Sequence, residues 1–392
     1  MIIMSEVIFG FETMRLDLEK ENDISSINND DVMEMIDYYM DQGFNYFDTG
    51  YTYHNGAAQE VLKIGLVGRY PRESFRIANK LPIWLVKSEA DNEKYASEML
   101  KNLGIDYFDV FLIHDLNEAF LPFVEKFKSF EYLQKMKDEG KARKIGFSYH
   151  DRSELLEKIL EKYGEMIDVV QLQINYLDWE SKLTEARKNY EVCEKYGKEV
   201  IVMEPLKGGT LFDLPAHIKE KFNENGMSLV EAALRFAGSP KNVTVVLSGV
   251  GNIEMMKENC KVFNPFNPID EEEKDFMLSM ADEIKKLIAI DCSYCGYCLD
   301  ECPIGMPIPD YFELYNSEKM YSLHSFYSIY GALLATCPTA SACTECGRCK
   351  NICTQKLNIP ELLKDVADCF EGSYKRKIKR AIEKFIKKYC LR

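Results

Sequence analysis

The sequence contains no run of about 20 apolar residues; its longest apolar stretches are short, such as "VVQLQI" and "EVIVM". No segment is therefore expected to span a membrane. The N-terminal stretch "MIIMSEVIFGFETMRL" lacks the basic flank and small-residue cleavage site of a secretory signal. Positive charge is in deficit: 49 Lys and Arg stand against 64 Asp and Glu, a net of −15. That balance argues against nucleic acid as the main partner. Cysteine is missing from the whole first half. None of the thirteen precedes Cys193, while ten lie between Cys292 and Cys369. A secreted disulfide scaffold would not leave half its length without cysteine. A reducing cytoplasm and clustered metal ligands fit better, and a cytoplasmic location is expected.

At 392 residues the chain has room for two domains, or for one large domain and an appendage. Eight short β-rich apolar runs stand out: 7–11, 45–48, 75–80, 108–113, 144–148, 168–173, 199–204 and 243–248. Helical patterns separate them, among them "DDVMEMIDYYMDQG" and "EKYASEMLKNLG", each closed by glycine. Successive strand ends fall at Asp48, Lys80, His114, Ser148, Gln173, Glu204 and Ser248, with spacings of 32, 34, 34, 25, 31 and 44 residues. These are the dimensions of βα units. Eight of them predict an α/β chain folded as a (β/α)8 TIM barrel. The alternative, an open doubly wound sheet, usually carries a G-x-G-x-x-G turn after its first strand; this turn reads "FGFETMRL".

A barrel places its active site at the C-terminal strand ends. There the second strand ends in Asp48, with Tyr53 one short loop beyond; the third ends in Lys80 and the fourth in His114. Positive charge beside a phenol lowers its pKa and makes it a usable proton donor or acceptor. The histidine adds a hydrogen bond for a carbonyl oxygen. A structural salt bridge is the bland alternative for any one of these residues, but less so for all of them at consecutive strand ends.

With these residues in place, the sequence resembles the aldo/keto reductase family over roughly residues 5–262. "FDTGYTY" matches the family's Asp…Tyr signature, and the resemblance places a catalytic tetrad on Asp48, Tyr53, Lys80 and His114. It also implies nicotinamide contacts from Ser148 in "IGFSYH" and Gln171 in "VVQLQINY", and adenine-side contacts from Glu258 and Asn259 in "KEN". The cofactor implied is NAD(P)H and the substrate a small carbonyl compound or alcohol. The loops "LKGGT" and "LSGVGN" follow strands 7 and 8, where barrels commonly bind phosphate. The second supplies Ser248 and Gly249 as candidate cofactor contacts, with plain turn chemistry as the alternative. Three positions depart from the family pattern: Met203 replaces a stacking aromatic, Tyr149 an Asn, and Met255 the Arg that holds an NADP 2′-phosphate.

Cys292, Cys295, Cys298 and Cys302, followed by Pro303, have the spacing C-x2-C-x2-C-x3-C-P; Cys343, Cys346, Cys349 and Cys353 repeat the cysteine spacing 51 residues later, with Thr354 in place of the proline. Ile308-Pro309 maps by the same step onto Ile359-Pro360. This spacing wraps thiolates around [4Fe–4S] clusters, the fourth Cys serving the other cluster. Zinc, bound by separated C-x2-C pairs, is the alternative. By analogy with two-cluster ferredoxins, one cluster takes Cys292, Cys295, Cys298 and Cys353, and the other Cys343, Cys346, Cys349 and Cys302. Cys193, Cys260, Cys337, Cys369 and Cys390 are read as packed thiols, and His217 and His324 as residues away from the site.

The expected organisation is a barrel over residues 1–265, a linker helix over 266–290, a helix-rich ferredoxin-like iron–sulfur domain over 291–372, and a basic tail over 373–392. The tail carries +8 against −23 for the rest of the chain. Its apolar residues Ile378, Ile382, Phe385 and Tyr389 share one helical face, which suits packing on the acidic body, with partner docking or membrane-surface contact as alternatives. The whole resembles a subgroup of aldo/keto reductases with a C-terminal ferredoxin-like domain. That implies an oxidoreductase whose clusters serve a ferredoxin-like or flavoprotein partner. Hydride transfer moves two electrons and clusters move one, so direct exchange would require a flavin or a radical-tolerant substrate. A cluster-fed reductase without nicotinamide, and an electron-transfer subunit with the barrel as scaffold, remain alternatives.

Overall fold

The structure, a computed structural model, describes residues 7–19, 26–118, 120–181, 184–209, 211–212, 214–286, 289–290, 292, 297–321, 327, 330–331, 333–334, 337–353 and 357–372. Cys295 and the basic tail lie outside them. The chain divides into two compact units between Ser279 and Met280, inside the segment expected as a linker helix. The helix there runs Glu271–Lys285.

The first unit is a closed barrel of eight parallel strands in sequence order. They are β1 (Ile8–Glu12), β2 (Tyr46–Asp48), β3 (Arg76–Leu81), β4 (Phe108–Leu116), β5 (Ala142–Tyr149), β6 (Val169–Gln173), β7 (Glu199–Met203) and β8 (Val243–Gly249). Alternation along each strand sends one set of side chains inward. Tyr46, Ala78, Val110, Leu112, Val169, Ile201, Val245 and Leu247 fill the barrel interior. Each buried Val, Leu or Ile among them contributes about 1.5–3 kcal/mol relative to exposure. The outward set meets the helices: Phe9 stacks on Phe263 and meets Tyr39 edge-on. The Tyr39 hydroxyl lies 2.6 Å from the Phe9 carbonyl and accepts from the Tyr46 N–H at 3.1 Å. Helix Asn29–Asp41 is thereby fixed on β1 and β2, just below Asp48.

Helix ends follow local chemistry. Asn28 caps the helix Asn29–Asp41 by accepting from Asp31 N, Ser228 accepts from Glu231 N, and Asn252 from Met255 N. Gly104 closes the helix Glu89–Leu103 at φ 72°, a conformation that costs glycine little. β4 runs three residues beyond the sequence expectation. Its register slips between Ile113 and Leu116, and Asp115 takes φ 60°. The break falls directly after His114.

The second unit repeats itself. Helix Tyr297–Glu301 maps by 51 residues onto Arg348–Ile352, and Ile308–Tyr321 onto the helix spanning 359–372. One core joins the halves, with Cys298, Ile308, Tyr311, Phe312, Cys349, Ile359, Leu363, Val366 and Phe370 all buried.

Gly146 shows how tightly the barrel closes. A methyl there would sit 1.8 Å from the Val169 carbonyl oxygen. That atom is backbone and cannot swing away. Gly146→Ala is expected to destabilise the barrel by about 1–3 kcal/mol or more, as overpacking does. The measurement is urea unfolding, with a lower midpoint and an unchanged m-value.

Candidate active site and cluster sites

The inward alternation brings one residue per strand to the barrel mouth: Glu12, Asp48, Lys80, His114, Ser148, Gln171, Met203 and Gly249. The stagger between paired strands sets this ring. Glu12 pairs with both Asp48 and Gly249, Lys80 with Leu112 two residues below His114, and Ser148 with Gln171. Five of the eight are polar and buried: Glu12, Asp48, Lys80, Ser148 and Gln171.

At its centre, the Lys80 ammonium is hydrogen-bonded to Asp48 Oδ1, to the Thr49 carbonyl at 3.1 Å and to the Tyr53 hydroxyl at 3.1 Å. Lys80 is 1% exposed and Asp48 fully buried. Burial alone would discharge the ammonium, but the adjoining Asp48 carboxylate reverses the effect, and the Lys80 pKa lies above its ordinary value. Burial raises Asp48 against the pull of Lys80. Burial also raises the Tyr53 phenol, and Lys80 only partly offsets it. The sequence expectation of a phenol brought down toward neutrality therefore omits the larger effect, and this phenol's pKa lies above its ordinary value. The His114 ring lies 5.8 Å from that of Tyr53 and 5.0 Å from that of Trp84, centroid to centroid. Burial first, then Lys80, holds the imidazole well below its ordinary pKa, hence neutral. A neutral imidazole retains one N–H to donate.

Beside the ring, a cavity of about 210 Å³ opens over β1, β7 and β8. Its lining includes Ser248, Gly249, Met255, Glu258 and Asn259, together with Glu12, Arg15, Asp17 and Glu204. The Asn259 Nδ2 donates to Ser248 Oγ at 2.8 Å, so these two also fasten helix Ile253–Val262 to β8. Ser148 and Gln171 sit on the other side of the ring. Ser148 Oγ accepts from Asp115 N at 2.8 Å, and the buried Gln171 Oε1 has no hydrogen-bond partner among the described residues. An unsatisfied buried carbonyl oxygen suits an amide N–H donor from a ligand. Tyr149 points away, its hydroxyl donating to the Arg152 carbonyl. Met203 occupies the ring position between Gln171 and Gly249.

Sequence reasoning missed several residues here. Glu12 was legible as the third member of the inward series Ile8, Gly10, Glu12. The ion pair of Arg15 with Glu204 at 3.3 Å joins loops 189 residues apart and carries no local signal. Asp17 is another: a Cβ on Gly251 would meet its carboxylate oxygen at 2.2 Å, so the acid lies directly against the loop after β8.

In the second unit, Cys302, Cys343, Cys346 and Cys349 line one cavity with Gly347, Pro303 and Pro360. Three thiols of the second motif thus meet the fourth of the first, the donor set a cubane takes. Among the described residues no three His, Cys, Asp or Glu side chains are drawn in tightly enough for a single metal ion. A cubane spreads its ligands more widely than one ion does. Cys292 and Cys353 are half-buried and Cys298 is buried. Cys337 is half-buried, beside Pro338, whose carbonyl accepts from Tyr311.

Glu12 generates a pH signature. Burial, then the Asp48 carboxylate, push its pKa from the ordinary 4.5 to about 7, against the pull of Lys80. The folded chain therefore holds a proton that the unfolded chain has released, and stability falls as pH rises from 4.5 to 7. Glu12→Gln removes this loss. The variant is expected to gain stability relative to the parent across that window, by an amount on the order of 3 kcal/mol at most. Denaturation of both chains from pH 4.5 to 8 checks it: a constant difference would show that Glu12 does not titrate there.

Comparison with known proteins agrees with this architecture. The model of the aldo/keto reductase family matches residues 7–277, and that of the 4Fe-4S dicluster domain matches residues 291–358. An aldo-keto reductase of Mycolicibacterium smegmatis is 27% identical, over 64% of this chain and 83% of its own length. The L-galactose dehydrogenase of Arabidopsis thaliana is 23% identical, over 67% and 87%. Among solved structures, an aldo-keto reductase from Klebsiella pneumoniae in complex with NADPH superposes with a TM-score of 0.57 at 20% identity, covering 70% of this chain and 90% of that one. The chain belongs to the aldo/keto reductase family of oxidoreductases and carries a 4Fe-4S dicluster domain after the barrel.

Proposed function

We propose that the barrel reduces a small carbonyl compound to the alcohol, or runs the reverse reaction, with Tyr53 as the proton donor. The observation that carries this reading is the buried Lys80 ammonium, bonded at once to Asp48 and to the Tyr53 hydroxyl. A nicotinamide, when bound, would supply the hydride for the carbonyl carbon. As negative charge builds on the carbonyl oxygen, Tyr53 gives up its phenolic proton to it. Lys80, 3.1 Å from the phenol oxygen, stabilises the phenolate that forms. Asp48 holds Lys80 charged and oriented. His114, neutral, donates a hydrogen bond that orients the substrate oxygen. Gln171 and Ser148 would hold the nicotinamide carboxamide. The cavity over β8 would take the rest of the dinucleotide, with Glu258 and Asn259 toward the adenine end. NADPH in the related Klebsiella structure supports a nicotinamide cofactor. A second reading, in which electrons enter through the clusters without nicotinamide, is favoured by the cavity's charge: the acids Asp17, Glu204 and Glu258, with the raised-pKa Glu12 beside them, face one Arg15.

In the second unit, Cys343, Cys346, Cys349 and Cys302 would hold one [4Fe–4S] cluster, and Cys292, Cys295, Cys298 and Cys353 the other. Both would connect the barrel chemistry to a ferredoxin-like or flavoprotein partner.

Three measurements test this. Tyr53→Phe, assayed for NADH and NADPH oxidation with a panel of small aldehydes and ketones, should lose turnover on the order of 10²–10⁴-fold with KM little changed. Near-normal turnover would favour a scaffold role for the barrel. Cofactor titration should show little preference for NADPH. Met255→Arg, exposed in the cavity wall, should tighten NADPH alone by about 10–100-fold, the value of one charge-assisted hydrogen bond. Binding of neither nucleotide would favour electron entry through the clusters. Anaerobically purified protein should contain about eight irons with matching acid-labile sulfide; stoichiometric zinc without sulfide would overturn the cluster assignment.

A further inference from the structure

The two halves of the cluster domain present the start of their cysteine motifs in the same way, but with different chemistry. In the first half, Ile290 lies two residues before Cys292. Its N–H donates to Asn316 Oδ1 at 2.8 Å, and its carbonyl accepts from Asn316 Nδ2 at 2.8 Å. Asn316 is 5% exposed, on helix Ile308–Tyr321. In the second half, Ser341 lies two residues before Cys343 and is the 51-residue counterpart of Ile290. Its N–H donates to Glu371 Oε1 at 2.9 Å. Glu371 is 6% exposed, on the helix spanning 359–372, the counterpart of the helix bearing Asn316 and one turn further along it. The same Glu371 oxygen accepts from the Tyr330 hydroxyl at 2.7 Å, and that hydroxyl accepts from the Ala340 N–H at 2.9 Å. Tyr330 is itself buried between Tyr311 and Phe370.

Each clamp acts on the backbone that delivers the first cysteine. Cys292 N bonds the Ile290 carbonyl at 2.8 Å, and Cys343 N bonds the Ala340 carbonyl at 3.2 Å. Fixing residues 290 and 340–341 therefore fixes where these two chains turn into their motifs. The clamp is a neutral amide in one half and a carboxylate in the other. A buried carboxylate disfavours the added negative charge of a reduced cluster, because its field is weakly screened there.

We propose that Asn316 and Glu371 are equivalent positioning residues, one for each cysteine motif, and that Glu371 also lowers the reduction potential of the cluster bound by Cys343, Cys346, Cys349 and Cys302. The inference rests on the cluster assignment made under Proposed function. It concerns residues that are not themselves ligands.

The test uses the full chain, prepared anaerobically, as Asn316→Ala, Glu371→Ala and Glu371→Gln. Iron and sulfide are counted and the clusters are titrated redox-potentiometrically by electron paramagnetic resonance. The barrel's thermal transition reports that the rest of the chain is folded. The parent should hold about eight irons, and each alanine variant about four, with one cluster lost and the barrel transition unmoved. Glu371→Gln keeps an acceptor oxygen for Ser341 and Tyr330 but removes the charge. It should retain about eight irons, with one midpoint potential shifted to more positive values and the other unmoved. Arg348 and Lys350, the cations within the second motif, are unchanged in all variants, so the shift reads Glu371 alone. Full iron with unmoved potentials in all three variants would overturn the proposal. So would loss of both clusters from either alanine variant, or an unmoved potential in Glu371→Gln. A parent chain without iron would overturn the cluster assignment itself, and is distinguished from these outcomes by the parent's own iron count.

Discussion

The barrel mouth is organised by one buried ion pair. Lys80 and Asp48 together are almost completely removed from water, where either alone would carry a desolvation penalty of several kcal/mol. The pair is tolerable because the ammonium finds further acceptors in the Thr49 carbonyl and the Tyr53 hydroxyl. Removing either partner strands a charge, so Asp48, Lys80 and the loop carrying Tyr53 are bound to one geometry. The helix Asn29–Asp41 supports this geometry from outside, through Tyr39 and the backbone of β1 and β2. His114 lies beside it, its ring 5.8 Å from that of Tyr53, at the point where β4 leaves its register. The positive φ at Asp115 costs about 1–3 kcal/mol, and it lets Asp115 N reach Ser148 Oγ. Two ring positions are thus coupled through one strained residue.

Strand positions were legible because alternation and turn chemistry are local. "FRIANK" gave β3 to within a residue at each end, and "VVQLQ" gave β6. β4 was under-read because "HDL" continues the strand only after a register slip, which depends on its pairing with β5. Asp48, Tyr53, Lys80 and His114 could be grouped from sequence because each sits within two residues of its strand's C-terminal end or one short loop beyond it, where position along the strand already implies height in the barrel. The charge of the cavity could not. Glu204 was placed at the end of the seventh strand, but Arg15 and Asp17 come from a loop whose sequence gives no distance to it or to β8. The phenol was misjudged in direction because burial, invisible in one dimension, outweighs the neighbouring cation.

The cysteine domain was legible for a different reason. Thiol spacing is a covalent constraint on how one segment can surround a cubane, and it survives without any knowledge of packing. The 51-residue step extends from cysteines to helices, since Tyr297–Glu301 and Arg348–Ile352 superimpose on one numbering. The clamps that precede the motifs were not legible. Asn316 and Glu371 do not occupy corresponding sequence positions; only the backbone groups they hold do.

Gly251 and Asp17 make the cavity's electrostatics answerable to shape. The carboxylate rests where a Cβ on Gly251 would have to be, 2.2 Å from its oxygen. Any side chain at that position must expel an acid from the wall of the cleft. A single added methyl group, itself uncharged, would therefore alter the field felt by a ligand there. In this fold, a steric change that adds or removes no titratable group is a route by which the charge presented to a ligand can be retuned.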